Sequence, residues 1–87
     1  MDPGANIKRL REAANLSATA VAERSGIHLS VLSRMENGKL PVDLADYTRL
    51  LQAIEELRQE AEARWQEALA ELGMGRMTES NAKEAVA

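Results

Sequence analysis

Residues Leu16 to Lys39, LSATAVAERSGIHLSVLSRMENGK, constrain this chain more than any other stretch. Ser17 is a natural N-cap, and Val21 and Ala22 follow it at the spacing that buries one side of a short helix. Ala20 stands where a capping box would need Glu or Gln, so the cap is a serine alone. Gly26 then supplies the positive φ that lets the chain leave one helix and enter another within a few residues. A second helix is expected from about Leu29 to Glu36, capped by His28 or by Ser30, and ended by Asn37-Gly38 with Pro41 beyond. Ile27, Leu32 and Met35 fall on one side of it. Leu29, Ser30, Ser33 and Arg34 are left pointing outward, with Val31 at the margin.

The flanking sequence supplies a support and an extension. Ile7, Leu10, Ala13 and Ala14 recur at three- and four-residue steps, which predicts a first helix capped by Asp2 or Asn6, ending near Ala14 with Asn15 in the left-handed region. From Asp43 to Leu72 there is no Gly or Pro. Leu44, Tyr47, Leu50, Leu51, Ile54, Leu57, Ala61, Trp65, Ala68 and Leu72 make one apolar stripe, on one helix or on two nearly continuous ones. If unbroken, a helix over 44–72 is roughly 43 Å long and outruns any core that three short helices can build. Its second half, carrying Leu57, Ala61, Trp65, Ala68 and Leu72, needs another surface, and the same helix of a second chain is the expected one. Residues 73–87 read as a polar tail, disordered or weakly helical.

Composition narrows the function. The 87 residues allow one domain near the lower size limit for an unstapled core. With no cysteine and a single histidine, neither a disulfide frame nor a metal site is expected, and no cofactor is implied. No run of about 18 apolar residues exists to span a bilayer, and Met1 to Asn6 lacks a signal-peptide core, so a soluble, cytoplasmic protein without a membrane partner is expected. The net charge of −3 hides an asymmetry. Residues 1–41 hold six bases against four acids and residues 42–87 five against ten, which suits a front facing a polyanion and a back facing solvent.

The runs IKRLREAANLS and VAERSGIHLSVLSRMENGK resemble the lambda-repressor-like helix-turn-helix domain, in its Xre and phage 434 repressor branch. The resemblance covers about residues 6–54. It implies an all-α fold of four to five helices, with residues 1–54 as the helix-turn-helix domain binding double-stranded DNA; residues 55–72, beyond the resemblance, are expected from their apolar stripe to be a long helical extension for homodimerisation. The implied base contacts are Leu29, Ser30, Ser33 and Arg34, with Arg34 suited to a guanine edge and Leu29 to a thymine methyl group. His28, Asn37 and Lys39 match positions that meet phosphates, the last two through backbone N–H and side chain. Arg11 and Glu36 match a structural salt bridge between the first and third helices.

Two departures from the family pattern matter. Ala18 stands where family members commonly place a phosphate-binding Gln, and the fourth helix runs far past Ile54. The resemblance therefore implies a homodimeric repressor of an inverted-repeat operator without fixing its dimer geometry. A protein-interaction module, such as the antitoxin half of a toxin-antitoxin pair, is the alternative, with the C-terminal helix binding a second protein. Catalysis is not expected, because the chain has no glycine-rich phosphate loop, and Glu55, Glu56, Glu60, Glu62, Glu67 and Glu71 lie mostly off the apolar stripe.

Overall fold

A computed structural model describes residues 2–73, and the expected tail beyond Gly73 lies outside the described residues. Four helices follow one another: α1 (Pro3–Ala13), α2 (Ala18–Ser25), α3 (Leu29–Glu36) and α4 (Leu44–Glu71). There are four among the described residues rather than five, because α4 is a single 28-residue rod.

Each boundary has a local cause. Asp2, not Asn6, caps α1: its side chain accepts from the Gly4 amide at 3.0 Å, and Pro3 sits at the first helical position, where a missing N–H costs nothing. Ser17 accepts from the Ala20 amide at 3.0 Å, His28 Nδ1 from the Ser30 amide at 3.1 Å, and Asp43 from the Asp46 amide at 2.8 Å. All four stops are left-handed residues, Asn15 at φ 60°, Gly26 at φ 76°, Gly38 at φ 74° and Gly73 at φ 74°. At two of these the orphan carbonyls are closed by backward bonds, Leu16 N–H to Arg11 C=O at 3.0 Å and Lys39 N–H to Arg34 C=O at 2.8 Å.

Ile7, Val21, Leu32 and Leu50, one from each helix, are the fully buried centre of the core. Ala22, Ile27, Met35, Ala53 and Ile54 complete it. The fit is tightest where α1 begins against the end of α3: a Cβ on Gly4 would lie 1.9 Å from the Met35 carbonyl oxygen. No side chain fits there, so this crossing is possible only with glycine.

Two sequence expectations change. Leu10 and Ala13 of α1 are exposed rather than packed, Leu10 to 45%, so only Ile7 and Ala14 carry the inward side of that pattern. Leu44 is 80% exposed although it fits the three-and-four spacing, because at the first residue of α4 no neighbouring helix covers it. Past Ile54 no residue of α4 is buried: Leu57 and Ala61 are half-covered, and Trp65, Ala68 and Leu72 are exposed. The distal half of α4 therefore projects from the core, in a molecule measuring 50 × 25 × 18 Å. No described helix is long and apolar enough to cross a membrane.

Gly4→Ala is expected to cost about 1–3 kcal/mol, the usual penalty of overpacking a tight contact, because backbone and not a flexible side chain must move. Urea unfolding would show this as a lower midpoint at unchanged slope.

Candidate nucleic-acid interface

The outward face of α3 follows from its length and its neighbours. At about 100° per residue, Leu29, Ser33, Ser30 and Arg34 occupy an arc of roughly 140°, while Met35, Leu32 and Glu36 fill the opposite side. All four of the first group are exposed and all three of the second are buried. Val31, at the seam, is half-covered and packs on the core. The face carries two hydroxyls, one guanidinium and one isobutyl group. Arg34 and Ser33 make no side-chain hydrogen bond among the described residues, so both are available to a ligand.

His28 begins this face and governs Ser30. Its Nδ1 accepts from the Ser30 amide at 3.1 Å and lies 2.8 Å from the Ser30 hydroxyl. A ring nitrogen that accepts an amide proton carries none of its own, so the proton of the neutral ring is on Nε2 and can be donated outward. The Ser30 hydroxyl then donates to Nδ1 and offers only its lone pairs to anything else. At the other end of α3, the Asn37 N–H bonds to the Ser33 carbonyl at 3.1 Å and its side-chain amide to the same oxygen at 2.8 Å. The backbone N–H groups of Asn37 and Lys39 are thus both spent on closing the helix. Both side chains are exposed.

Behind α3 lies the expected ion pair. Arg11 Nε meets Glu36 Oε2 at 2.9 Å and its terminal nitrogen meets Oε1 at 3.0 Å, a two-pronged contact, while the remaining nitrogen donates to the Leu16 carbonyl at 2.9 Å. The Arg11 and Glu36 side chains are 13% and 6% exposed. The hydrogen bonds it donates to Glu36 hold the Arg11 guanidinium above its ordinary pKa against the opposing effect of burial. One arginine thereby fixes the end of α3 and the strand of backbone leading into α2.

The turn between α2 and α3 is held by groups that sequence reasoning did not single out. The buried Ser25 hydroxyl donates to the Ala22 carbonyl at 3.2 Å and accepts from the Ile27 amide at 3.3 Å. Arg49 reaches from α4 to the Ser25 carbonyl at 2.8 Å. Arg24 leaves α2 to bind both Glu60 oxygens, one of them at 2.7 Å, and Glu56 at 3.3 Å. Its hydrogen bonds to Glu60 raise the Arg24 pKa, and Arg24 in turn holds the Glu60 carboxyl below its usual range. The resulting stabilisation is present above the ordinary carboxylate pKa and is lost as pH falls through the lowered value. Sequence separations of 24 and 36 residues leave no local pattern by which these contacts could be found.

These pairings redraw the charge map. Of the six bases in residues 1–41, Arg11 and Arg24 are neutralised internally, and Lys8, Arg9, Arg34 and Lys39 have no ion-pair partner among the described residues. The basic character expected of the front is therefore concentrated on those four. Arg11→Ala would strand Glu36 beneath α3, and removing one partner of such a pair costs about 3 kcal/mol or more. Chemical unfolding of the variant should show that loss; an unchanged midpoint would mean the pair is not what anchors α3.

A family model described as a helix-turn-helix domain matches residues 4–65. No curated protein and no solved structure matches the chain. The matched span takes in all three short helices, the Gly26 turn, the face on α3 and α4 as far as Trp65, and the chain belongs to the helix-turn-helix domain family.

Proposed function

We propose that this chain is a homodimeric transcriptional repressor in the Xre and phage 434 manner, which binds an inverted-repeat DNA operator with α3 in the major groove. The observation that carries the reading is the outward arc of Leu29, Ser30, Ser33 and Arg34, held rigid from behind by Arg11 and Glu36. A DNA-reading helix needs short or polar side chains at its leading end and a fixed pose, and both are present.

Each residue has a chemical part. Arg34 can place two donors on the O6 and N7 acceptors of a guanine. Leu29 offers a hydrocarbon surface to a thymine methyl. Ser30, whose proton is committed to His28, suits an amino donor such as adenine N6 or cytosine N4 rather than an acceptor. Lys39 and the outward Nε2–H of His28 face phosphates. With Ala18 unable to bind phosphate from α2, the backbone grip rests on few cations, so affinity is modest per half-site and pairing of two chains is needed. The exposed distal stripe of α4 is the assembly surface in this reading, which makes residues 55–72 an extension serving dimerisation. Capture of a second protein on that stripe is the competing use. It predicts a free chain that stays monomeric on size exclusion, whereas the dimer reading predicts two chains per particle without DNA.

Selection of the whole chain against a randomised DNA pool should enrich a palindrome, with binding weakened steeply by salt as counterions are released. Failure to enrich any two-fold site would refute the reading. At the selected site, Arg34→Ala should cost about 1–3 kcal/mol and relax preference at one base pair in each half, whereas Lys39→Ala should weaken all sequences alike and lower the salt slope by about one.

A further inference from the structure

One hydrogen atom at the start of α3 decides what Ser30 can read. His28, the one histidine of the chain, stands at the N-cap of α3 with its ring turned back on the helix. Its Nδ1 lies 3.1 Å from the Ser30 amide nitrogen and 2.8 Å from the Ser30 Oγ. His28 and Ser30 are both exposed, at the end of α3 that leads the reading face. N-caps are most often Ser, Thr, Asp or Asn, whose capping oxygen remains an acceptor across the neutral pH range. An imidazole nitrogen differs, because one added proton converts it from acceptor to donor.

The proton balance runs through a single contact. In the neutral ring with its hydrogen on Nε2, Nδ1 accepts from the amide, and the Ser30 hydroxyl donates to the same atom. Ser30 then shows only lone pairs outward, the complement of an amino group. When the ring takes up a proton, the new N–H is on Nδ1, and the 2.8 Å contact reverses with no heavy atom moving: Nδ1 donates and Oγ accepts. The hydroxyl hydrogen is released and can turn outward, where it suits an acceptor such as guanine O6 or N7, or thymine O4. The Ser30 amide gives up its acceptor, but it is a first-turn N–H at an exposed residue and water can take it. The Nε2–H is present in both states, so its outward contact is kept.

Little around the ring competes for that proton. α1 meets α3 at the opposite end, where Gly4 abuts the Met35 carbonyl and Arg11 binds Glu36. Near the turn, Arg24 of α2 is bound by Glu60 and Glu56, and Arg49 of α4 by the Ser25 carbonyl. Glu23 of α2 lines the open groove beside His28, with Thr19 and Ala22, and no ion pair joins it to the ring among the described residues. Within α3 the cation is Arg34, six residues and roughly 9 Å along the axis from His28. Histidine is the side chain that ordinarily changes charge between about pH 5 and pH 8, whereas an arginine keeps its charge throughout.

Resting on the operator reading above, we infer that His28 is the positioning residue that sets which class of base Ser30 reads. A neutral ring directs Ser30 to an amino donor, a protonated ring directs it to an acceptor, and the preferred base at one position of each half-site changes with pH.

A single histidine makes the first test direct. In a long-range proton–nitrogen spectrum of the full chain without DNA, the neutral ring should carry its hydrogen on Nε2, and the Ser30 amide should shift with the same midpoint as the ring. A neutral ring protonated on Nδ1 overturns the inference, whatever the chain binds. The second test repeats the operator selection at about pH 5.5 and about pH 8. The position read by Ser30 is the one whose preference Ser30→Ala flattens at both pH values, and a variant that flattens none overturns the inference. At that position, on the strand Ser30 faces, the wild-type chain should favour adenine or cytosine at the higher pH and move toward guanine or thymine at the lower. The ratio should change about fivefold, the size of one net hydrogen bond. His28→Asn keeps a capping oxygen that does not titrate and should hold the high-pH preference at both. A wild-type preference that does not move with pH, or one that moves equally in His28→Asn, overturns the inference. An enriched palindrome with an invariant base there leaves the operator reading standing and removes only this role of His28, whereas failure to enrich any palindrome refutes that reading and this inference with it.

Discussion

The contact on which the rest of the molecule depends is the two-pronged bond from Arg11 to Glu36, with its third prong on the Leu16 carbonyl. α3 is only eight residues long, too short to be stable alone, since a helix below about 12–15 residues is marginal in water. Its order must come from what it packs on. Leu32 and Met35 supply the apolar part of that packing, but apolar contact is non-directional and would tolerate a roll of the helix. A guanidinium that donates in a fixed plane to both oxygens of a carboxylate does not tolerate it. Because Glu36 closes the helix and Arg11 also holds the backbone leading into α2, the pair defines the pose of α3 relative to both other short helices.

Stability and reading surface draw on the same small stock of cations. Arg11 is taken by the core, Arg24 by the acidic side of α4, and Arg49 by the turn carbonyl of Ser25. The consequence is that, among the described residues of an overall negative chain, the bases left without a partner lie on α1, on α3 and in the loop after α3, with Arg64 alone on α4. The acids of α4 therefore do two things: they solvate the projecting rod, and through Glu56 and Glu60 they withdraw Arg24 from the front. Net charge alone would have argued against a polyanionic partner, and the pairing pattern removes that objection.

How much of this was legible in the sequence follows from how local each cause is. Caps and stops are legible because a side chain bonds to an amide two or three residues away, as at Asp2, Ser17 and His28, or because one residue must take a positive φ, as at Asn15, Gly26 and Gly38. The Arg11–Glu36 pair was legible only through the family resemblance, since 25 residues separate the partners. Gly4 gave no signal, because its role is set by the Met35 carbonyl passing beneath it. Leu10 and Leu44 were placed inward because periodicity says which residues share a face, not whether another helix covers that face. The same limit hides the partners of Arg24 and Arg49, which lie on another helix.

In the proposed reading, the short side chains on α3 bear on why a second copy would be needed. Discrimination between a specific site and random DNA runs to about 4–10 kcal/mol, and a well-made base contact supplies about 1–3. On α3 only Arg34 has the length for a two-pronged contact. In that reading Leu29 would read by shape, and Ser30 and Ser33 would reach one acceptor or donor each. A single copy that reads in this way falls near the bottom of the required range, with a phosphate grip further weakened at Ala18. Two copies on one two-fold site double the direct readout without any longer side chain, provided the distance between them is fixed. A continuous helix that carries the core at Leu50 and the open stripe at Trp65 fixes it through 15 residues of rigid backbone, roughly 22 Å, with no hinge glycine or proline between. Under the proposed function, the sparse chemistry of α3 and the apolar projection of α4 would be one requirement met at two ends of the same molecule.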